Sequence, residues 1–272
     1  MIRTIVFGLA LAAVALPQGA KIVMVTDMEG VGRVQNWDEQ VFPGQRRFEE
    51  SRKLLIGEIN AAVAGAFDAG ASRVVVWDGH DGSRSLSILE IDRRAELIQG
   101  KGTTPDYFFS KKLYDGVMFV GQHAMAGTKN ALLAHSQSLT IERITINGKP
   151  AGEIAQTAAI AGYFDIPVIF LSGDQAACAE IRELQPGAET VAVKRAIGNG
   201  SALSLSHERA KELIRAHARR AVERVREFKP YKIEGPVEMR FEYYPTKDGT
   251  TKPPAIYKGA TVLEAFAQWL KK

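Results

Sequence analysis

The sequence has 272 residues, of which 46% are hydrophobic and 24% are charged. This composition excludes an extensively disordered chain and suits one large domain, or one domain with a smaller appendage. The formal net charge is only +4 and the basic residues are scattered, so the charge pattern argues against a nucleic-acid-binding protein. The single cysteine, Cys178, excludes an intrachain disulfide and lies in an apolar helical stretch typical of a buried thiol.

The first twenty residues have the layout of a secretory signal peptide. Arg3 precedes an apolar run over residues 4–16, and small residues follow it. The run is too short to span a membrane comfortably. We therefore predict that residues 1–20 are a signal peptide, cleaved after Ala15 or Ala20, and that the protein is periplasmic or secreted without a stable membrane span. An uncleaved anchor or a buried first strand is the alternative interpretation.

From residue 21 onward, short apolar runs alternate with helical patterns. Strands are predicted at 22–26, 73–77, 116–120, 140–146, 166–171 and 190–193, and helices at about 45–69, 151–163 and 175–184. Asn147-Gly148 is a strong hairpin-turn signal. Strands that are apolar throughout and alternate with helices imply a mostly parallel sheet covered on both faces. Residues 21–195 are therefore predicted to form an α/β catalytic domain.

The last part of the chain has a different pattern. Ser206 is predicted to cap a charged helix that runs to about residue 228, followed by an alternating strand at 237–243 and a short helix at 262–270. We predict that residues 196–272 form a smaller α+β region.

Three of the buried strands end at residue types that bind metals. Asp27 follows the first strand, and His80 and His123 lie just beyond the second and third. Ligands of open α/β sheets bind outside the carboxyl ends of the strands, so we expect these side chains to meet in one crevice. Glu29 lies two residues beyond Asp27, which places both carboxylates on one side of an extended chain. Each residue alone has an ordinary explanation in a turn or loop, but together they indicate a metal site.

The charge count of the candidate ligands favours two divalent ions. A fourth position, Glu153, opens the helix after the hairpin, where the helix dipole also favours a carboxylate. Asp27, Glu29 and Glu153 bring three negative charges and neutral imidazoles bring none. One divalent ion would leave −1, whereas two would leave +1, which a bridging hydroxide would neutralise. Mixed imidazole and carboxylate ligands suit Zn²⁺, with Mn²⁺ or Co²⁺ as alternatives, and two such ions can activate a bridging water.

His135 is a candidate acid/base. It lies a dozen residues beyond His123 in a connection between elements, and imidazole titrates near neutral pH. A packed loop histidine explains the same position equally well from the residues alone.

The ordered set of these motifs resembles the DppA-type D-aminopeptidases, a family of dinuclear zinc peptidases. The matching segments are Val25-Thr26-Asp27-Met28-Glu29-Gly30, Trp77-Asp78-Gly79-His80, Gly121-Gln122-His123-Ala124, His135-Ser136, Asn147-Gly148-Lys149-Pro150-Ala151-Gly152-Glu153, Ala161-Gly162-Tyr163-Phe164-Asp165-Ile166-Pro167-Val168 and Ser172-Gly173-Asp174. The likeness runs from about Lys21 to Lys194.

The resemblance implies a role for each candidate residue. Asp27 would bridge two zinc ions, with Glu29 and His80 completing one site and His123 and Glu153 the other. His135 would be the catalytic acid/base or nucleophile. The resemblance also implies hydrolysis of short peptides with an N-terminal D-residue, such as D-Ala-D-Ala, and assembly into a homodecamer.

The sequence departs from the family in two places. Residues 243–257 look shorter and different from the usual C-terminal region, which leaves the oligomer and the rim of the substrate pocket open. An export signal is not expected of a cytosolic enzyme that scavenges dipeptides, which leaves the physiological substrate open.

Two other functions compete with a peptidase. Asp27 could be the nucleophile of a phosphatase, but such enzymes have Asp-x-Asp followed by Thr, where this chain has Glu29 and Gly30. An exported protein that binds zinc or a peptide without catalysis would need no acid/base.

Overall fold

The computed structural model describes residues 19–100, 102, 109, 113–198 and 200–271. The predicted signal peptide lies outside the described residues except for its last two, Gly19 and Ala20. No helix in the described part of the chain combines the length and the apolar character needed to cross a membrane.

A seven-stranded sheet forms the centre of the molecule, in the order β3-β2-β1-β4-β7-β8-β9. Its strands are β1 (Lys21–Thr26), β2 (Arg73–Asp78), β3 (Glu96–Ile98), β4 (Gly116–Gln122), β7 (Val168–Asp174), β8 (Glu189–Gly198) and β9 (Ser201–Ser204). All neighbours are parallel except β9, which runs antiparallel to β8. The prediction of a mostly parallel α/β sheet is therefore confirmed.

Helices cover both faces of this sheet. They are α1 (Phe48–Asp68), α2 (Glu153–Tyr163), α3 (Gln175–Leu184), α4 (His207–Glu223) and α5 (Val262–Leu270). Ile22 and Met24 of β1 are buried in a cluster with residues of α1 and α4. Val23 and Val25 are buried in a second cluster with residues of α2, α3 and α5. Successive side chains of a strand point to opposite faces, so a strand buried on both faces is apolar throughout.

A smaller antiparallel sheet, in the order β11-β10-β5-β6, packs beside the main one. Its strands are β5 (Ile141–Ile146), β6 (Lys149–Pro150), β10 (Val237–Tyr243) and β11 (Ala255–Gly259). The predicted hairpin at Asn147-Gly148 joins β5 to β6, and both turn residues have positive φ.

The two sheets do not divide the chain at residue 195, the boundary expected from the sequence. β8 continues to Gly198 and β9 extends the same sheet, while Ile214 of α4 is buried in one cluster with Ile59 of α1. β5 and β6 instead join the small sheet, because the partner of β5 is β10, where Thr145 pairs with Arg240. A local sequence pattern identifies a strand but does not say which distant strand pairs with it.

Candidate metal centre

The candidate ligands converge where the strand order reverses. β1 lies between β2 and β4, and Asp27, His80 and His123 follow the carboxyl ends of these three neighbouring strands. The segments that carry Asp27 and His123 are joined by two backbone hydrogen bonds. Asp27 N–H donates to Val120 O (2.9 Å), and Gly30 N–H donates to Gly121 O (2.7 Å). Such a switch point is the usual ligand crevice of an open α/β sheet.

Two glycines make this close approach possible. A Cβ on Gly30 would lie 2.0 Å from the carbonyl oxygen of Gln122. A Cβ on Gly121, which has φ +77°, would lie 2.0 Å from the carbonyl oxygen of Asp27. Only residues without a side chain allow the two strand ends to meet and thereby bring Asp27 beside His123.

Asp27 occupies the middle of the cluster. Its Oδ1 is 3.2 Å from His80 Nδ1 and its Oδ2 is 3.0 Å from His123 Nε2. On one side, Glu29 Oε2 lies 3.0 Å from the same nitrogen of His80. On the other side, Glu153 Oε1 lies 3.6 Å from the same nitrogen of His123. The structure thus brings the five predicted ligands together in two groups that share one carboxylate.

The imidazoles are oriented by backbone carbonyl groups. His80 Nε2 is 2.7 Å from Val41 O, and His123 Nδ1 is 2.9 Å from Ala124 O. A carbonyl oxygen can only accept, so each of these nitrogens carries a hydrogen and donates it. In a neutral ring the opposite nitrogen then holds a lone pair, and in both histidines it points toward Asp27. A metal-binding histidine needs this arrangement.

The donor set fits zinc. His123 Nε2 and Glu29 Oε2 are buried, and although each lies 3.0 Å from an ionisable side chain, neither makes a hydrogen bond of suitable geometry among the described residues. Buried polar atoms without partners are costly, and coordination of a cation would satisfy both. Ligand atoms of Asp27, Glu29 and His123 lie within 4.8 Å of one another. Two imidazoles and three carboxylates are ligands that zinc accepts.

The carboxylates of the cluster favour positive charge beside them. Burial opposes a charged imidazole, but Glu29 and Asp27 outweigh it and raise the pKa of His80 to about 11. Glu153 and Asp27 likewise hold the pKa of His123 well above its ordinary value, against the effect of burial. Burial and the neighbouring Asp27 charge raise the pKa of Glu29 to about 7. Protons on the imidazoles or divalent cations can supply the missing charge.

His135 lies against the cluster. Its ring stacks on that of His123, with centroids 4.0 Å apart and planes at 18°. Nδ1 is 3.0 Å from Leu133 O and so donates to it, while Nε2 points to Glu153 Oε1 at 3.7 Å. Burial, followed by the charge of His123, lowers the pKa of His135. The ring is therefore neutral at neutral pH and presents a lone pair to the centre.

The loop that carries His135 is conformationally strained. Leu133 and Gln137 have φ angles of +54° and +63°, in the left-handed region that most side chains avoid. Trp37 packs edge-on against the His135 ring, with centroids 5.2 Å apart. Non-glycine residues in sparsely populated backbone regions often cluster at functional sites, where the surrounding packing holds them.

The cluster opens into a cleft of about 630 Å³. Asp27, Glu29, His80, His135 and Glu153 all line it. Trp37, Phe42 and Leu139 contribute apolar surface to the same cleft. A substrate therefore has direct access to the candidate ligands and to the candidate base.

Two charged residues, Glu58 and Lys194, are buried beneath residues 27–34, the ligand loop that follows β1, and no motif in the sequence identifies them. Lys194 is 2% exposed and its Nζ donates to the carbonyl oxygens of Glu29 and Val34. Glu58 accepts from the N–H of Gly32 at 3.0 Å, and burial raises its pKa to about 7. These contacts hold the segment that carries Glu29. A lysine directly after the apolar run of β8 was the one signal in the sequence that pointed to such a role.

Asp78 is a loop anchor. It accepts hydrogen bonds from the backbone N–H groups of Ser85 (2.7 Å) and Leu86 (2.9 Å). His80 is oriented instead by Val41 O. Asp78 therefore stabilises the turn after β2 and does not orient the imidazole of His80.

Comparison with known proteins agrees with this geometry. A family model described as D-aminopeptidase matches residues 20–263. A D-aminopeptidase of Bacillus subtilis (strain 168) is 34% identical over 197 residues, which cover 71% of this chain and 70% of that protein. The solved structure of the Zn-dependent D-aminopeptidase DppA from Bacillus subtilis, a self-compartmentalizing protease, superposes with a TM-score of 0.79. That match has 27% identity and covers 92% of this chain and 96% of the other. The match over most of the sequence, together with the shared fold, shows that this chain belongs to the D-aminopeptidase family of metallopeptidases.

Proposed function

We propose that this protein is a zinc-dependent aminopeptidase that removes N-terminal D-residues from short peptides. The observation that carries the proposal is the pair of imidazole–carboxylate groups that share Asp27. Membership of the D-aminopeptidase family supports the reaction class.

In this proposal two zinc ions bind per chain. Glu29 and His80 would hold one, Glu153 and His123 the other, and Asp27 both. When bound, zinc supplies Lewis acidity, which polarises a peptide carbonyl and makes water a stronger nucleophile at neutral pH. The carbonyl groups of Val41 and Ala124 keep the two imidazoles in the orientation that binding requires.

His135 is proposed to move the proton. Its neutral Nε2 faces the centre, so it can accept a proton as water attacks and return it to the leaving amine. Distance alone also admits His135 as a ligand, since its ligand atom lies within 4.8 Å of those of His123 and Glu153. The zinc content of a His135 variant separates the two roles.

Export and assembly complete the proposal. β1 begins at Lys21, so cleavage after Ala20 would leave the central sheet whole. The Bacillus subtilis neighbour is described as self-compartmentalizing, which supports a homo-oligomer, and we propose the decamer of the family. Cell fractionation with N-terminal sequencing tests the export, and light scattering of the purified protein tests the assembly.

The test of function joins kinetics to metal analysis. Hydrolysis of D- and L-aminoacyl anilides and dipeptides is measured for the wild type, Asp27→Ala and His135→Ala. Zinc is quantified in the same samples. We expect two zinc ions and a preference for D-substrates in the wild type. Asp27→Ala should lose both metal and activity, and His135→Ala should keep the metal and lose activity. Full activity of a zinc-free Asp27→Ala protein would contradict the proposal.

A further inference from the structure

A second, smaller cavity adjoins the metal centre. Its volume is about 210 Å³, compared with about 630 Å³ for the open cleft. The two cavities share Asp27, Glu153 and Gln137 in their linings. A group held at the centre can therefore extend into either space.

The smaller cavity has an apolar wall formed largely by the last helix. Val25 of β1 and Ile160 of α2 line one part, and Phe266, Trp269 and Leu270 of α5 line another. Trp269 stacks on Phe241 of the small sheet, with centroids 5.3 Å apart and planes at 30°. The small sheet thus places α5 beside a centre that is built on the large sheet.

The amide nitrogens of the three glutamines in this cavity already donate hydrogen bonds within the protein. Gln122 Nε2 lies 3.3 Å from Asp27 Oδ2, and Gln137 Nε2 lies 3.2 Å from Gln156 Oε1. Gln156 Nε2 in turn donates to Ala151 O at 2.8 Å. A polar side chain that entered would lose its hydrogen bonds with water and compete with the existing bonds of the cavity. An apolar side chain has no hydrogen bonds with water to lose.

We propose that this cavity binds the side chain of the substrate's N-terminal residue, and that Phe266, Trp269 and Leu270 select an apolar side chain there. This inference rests on the proposed aminopeptidase function. An aminopeptidase substrate has one residue before the scissile bond and a variable length after it. The small cavity suits the single side chain, and the larger cleft suits the departing peptide.

The family model matches residues 20–263, whereas the three wall residues of α5 come after position 263. The three wall residues are therefore distinct from the candidate metal ligands, all of which lie within the matched range.

The test compares substrates of equal shape and different polarity. D-Leu and D-Asn p-nitroanilides have side chains of similar size, and the D-Ala substrate serves as the small reference. With the zinc-loaded full-length protein, we expect kcat/KM for D-Leu to exceed that for D-Asn by roughly tenfold or more, the range reached when apolar pockets discriminate.

Two variants change the cavity in different ways. Trp269→Ala removes part of the apolar wall and should lower the D-Leu to D-Asn ratio roughly tenfold. Thr157→Phe fills the cavity from α2 and should lower the D-Leu to D-Ala ratio by a similar factor. Leu263→Ala is the matched control, because Leu263 lies on the same helix but does not line the cavity. It should keep both ratios.

The outcomes separate this inference from the proposed function. If the zinc-loaded wild type cleaves the D-Ala substrate but does not prefer D-Leu over D-Asn, the pocket assignment is wrong and the peptidase stands. The same conclusion follows if that preference exists and neither variant reduces its ratio. If the zinc-loaded wild type cleaves no D-aminoacyl substrate, both are wrong. Zinc content and a thermal melt identify a misfolded variant, and the other variant then decides.

Discussion

Asp27 directs one carboxylate oxygen to each of two imidazoles, and Glu29 and Glu153 each accompany one of them. At this scale the centre consists of two half-sites with a common member. Substitution of a carboxylate that belongs to one half-site should therefore affect the zinc content differently from substitution of Asp27, which both half-sites share.

We expect Glu29→Gln to reduce the zinc content from two ions per chain to one. The amide has no charge and binds zinc weakly, while Asp27, His123 and Glu153 still form the other half-site. Elemental analysis after dialysis measures the ratio. Glu223→Gln, an exposed position on α4, is the control and should keep two ions. Loss of both ions from Glu29→Gln would show that the half-sites are not independent.

Zinc binding should strengthen as the pH rises. In the metal-free protein, Glu29 and Asp27 overcome the effect of burial and raise the pKa of His80 to about 11, so this ring is protonated at neutral pH. Zinc needs the lone pair of Nδ1 and must displace that proton. Apparent affinity should rise about tenfold per pH unit for each proton released. Competition with a chelator at pH 6.5 and 7.5 measures this, and an affinity independent of pH would refute it.

At the scale of elements, the ends of β1 and β4 decide whether the half-sites meet. The two segments approach backbone to backbone at Gly30 and Gly121, where a Cβ would lie 2.0 Å from a carbonyl oxygen of the other segment. We therefore expect strand packing and metal binding to be coupled at these two positions.

Gly30→Ala should destabilise the protein and weaken metal binding together. Its Cβ would lie 2.0 Å from Gln122 O, so the strand ends must separate. Overpacking of this kind costs roughly 1–3 kcal/mol. Denaturant unfolding and zinc analysis measure the two effects. Gly187→Ala is the control, since its Cβ would be 3.8 Å from its nearest neighbour. A Gly30→Ala protein with normal stability and two zinc ions would contradict the coupling.

At the scale of the whole molecule, the metal ions should contribute to stability. Without them the buried carboxylates of Asp27 and Glu29 and the half-buried carboxylate of Glu153 are balanced by protonated His80 and His123 and by the nearby Lys194. A ligand at a thousand times its Kd adds about 4 kcal/mol, and each kcal/mol shifts the Tm of a domain of this size class by about 2–4 °C. We expect chelation to lower the Tm by about 10 °C and zinc to restore it. Asp27→Ala, measured in parallel, should show no response to the chelator.

The pattern of the sequence was sufficient for the elements of the main sheet. Runs that are apolar throughout identified β1, β2, β4 and β7, because a strand buried on both faces has no polar side. The six candidate site residues could also be named, since strand ends, histidines and acidic residues can be identified from the sequence. All six lie together in the structure.

The sequence by itself determined the chemical types at the centre and the strands that carry them. Only the tertiary structure decided which strands are neighbours, which imidazole nitrogen faces Asp27, and that β5 joins β10 rather than the main sheet. It also brought Lys194 beneath the ligand loop and Trp269 beside the centre. These features depend on contacts between residues far apart in the chain, and local periodicity carries no information about such pairings.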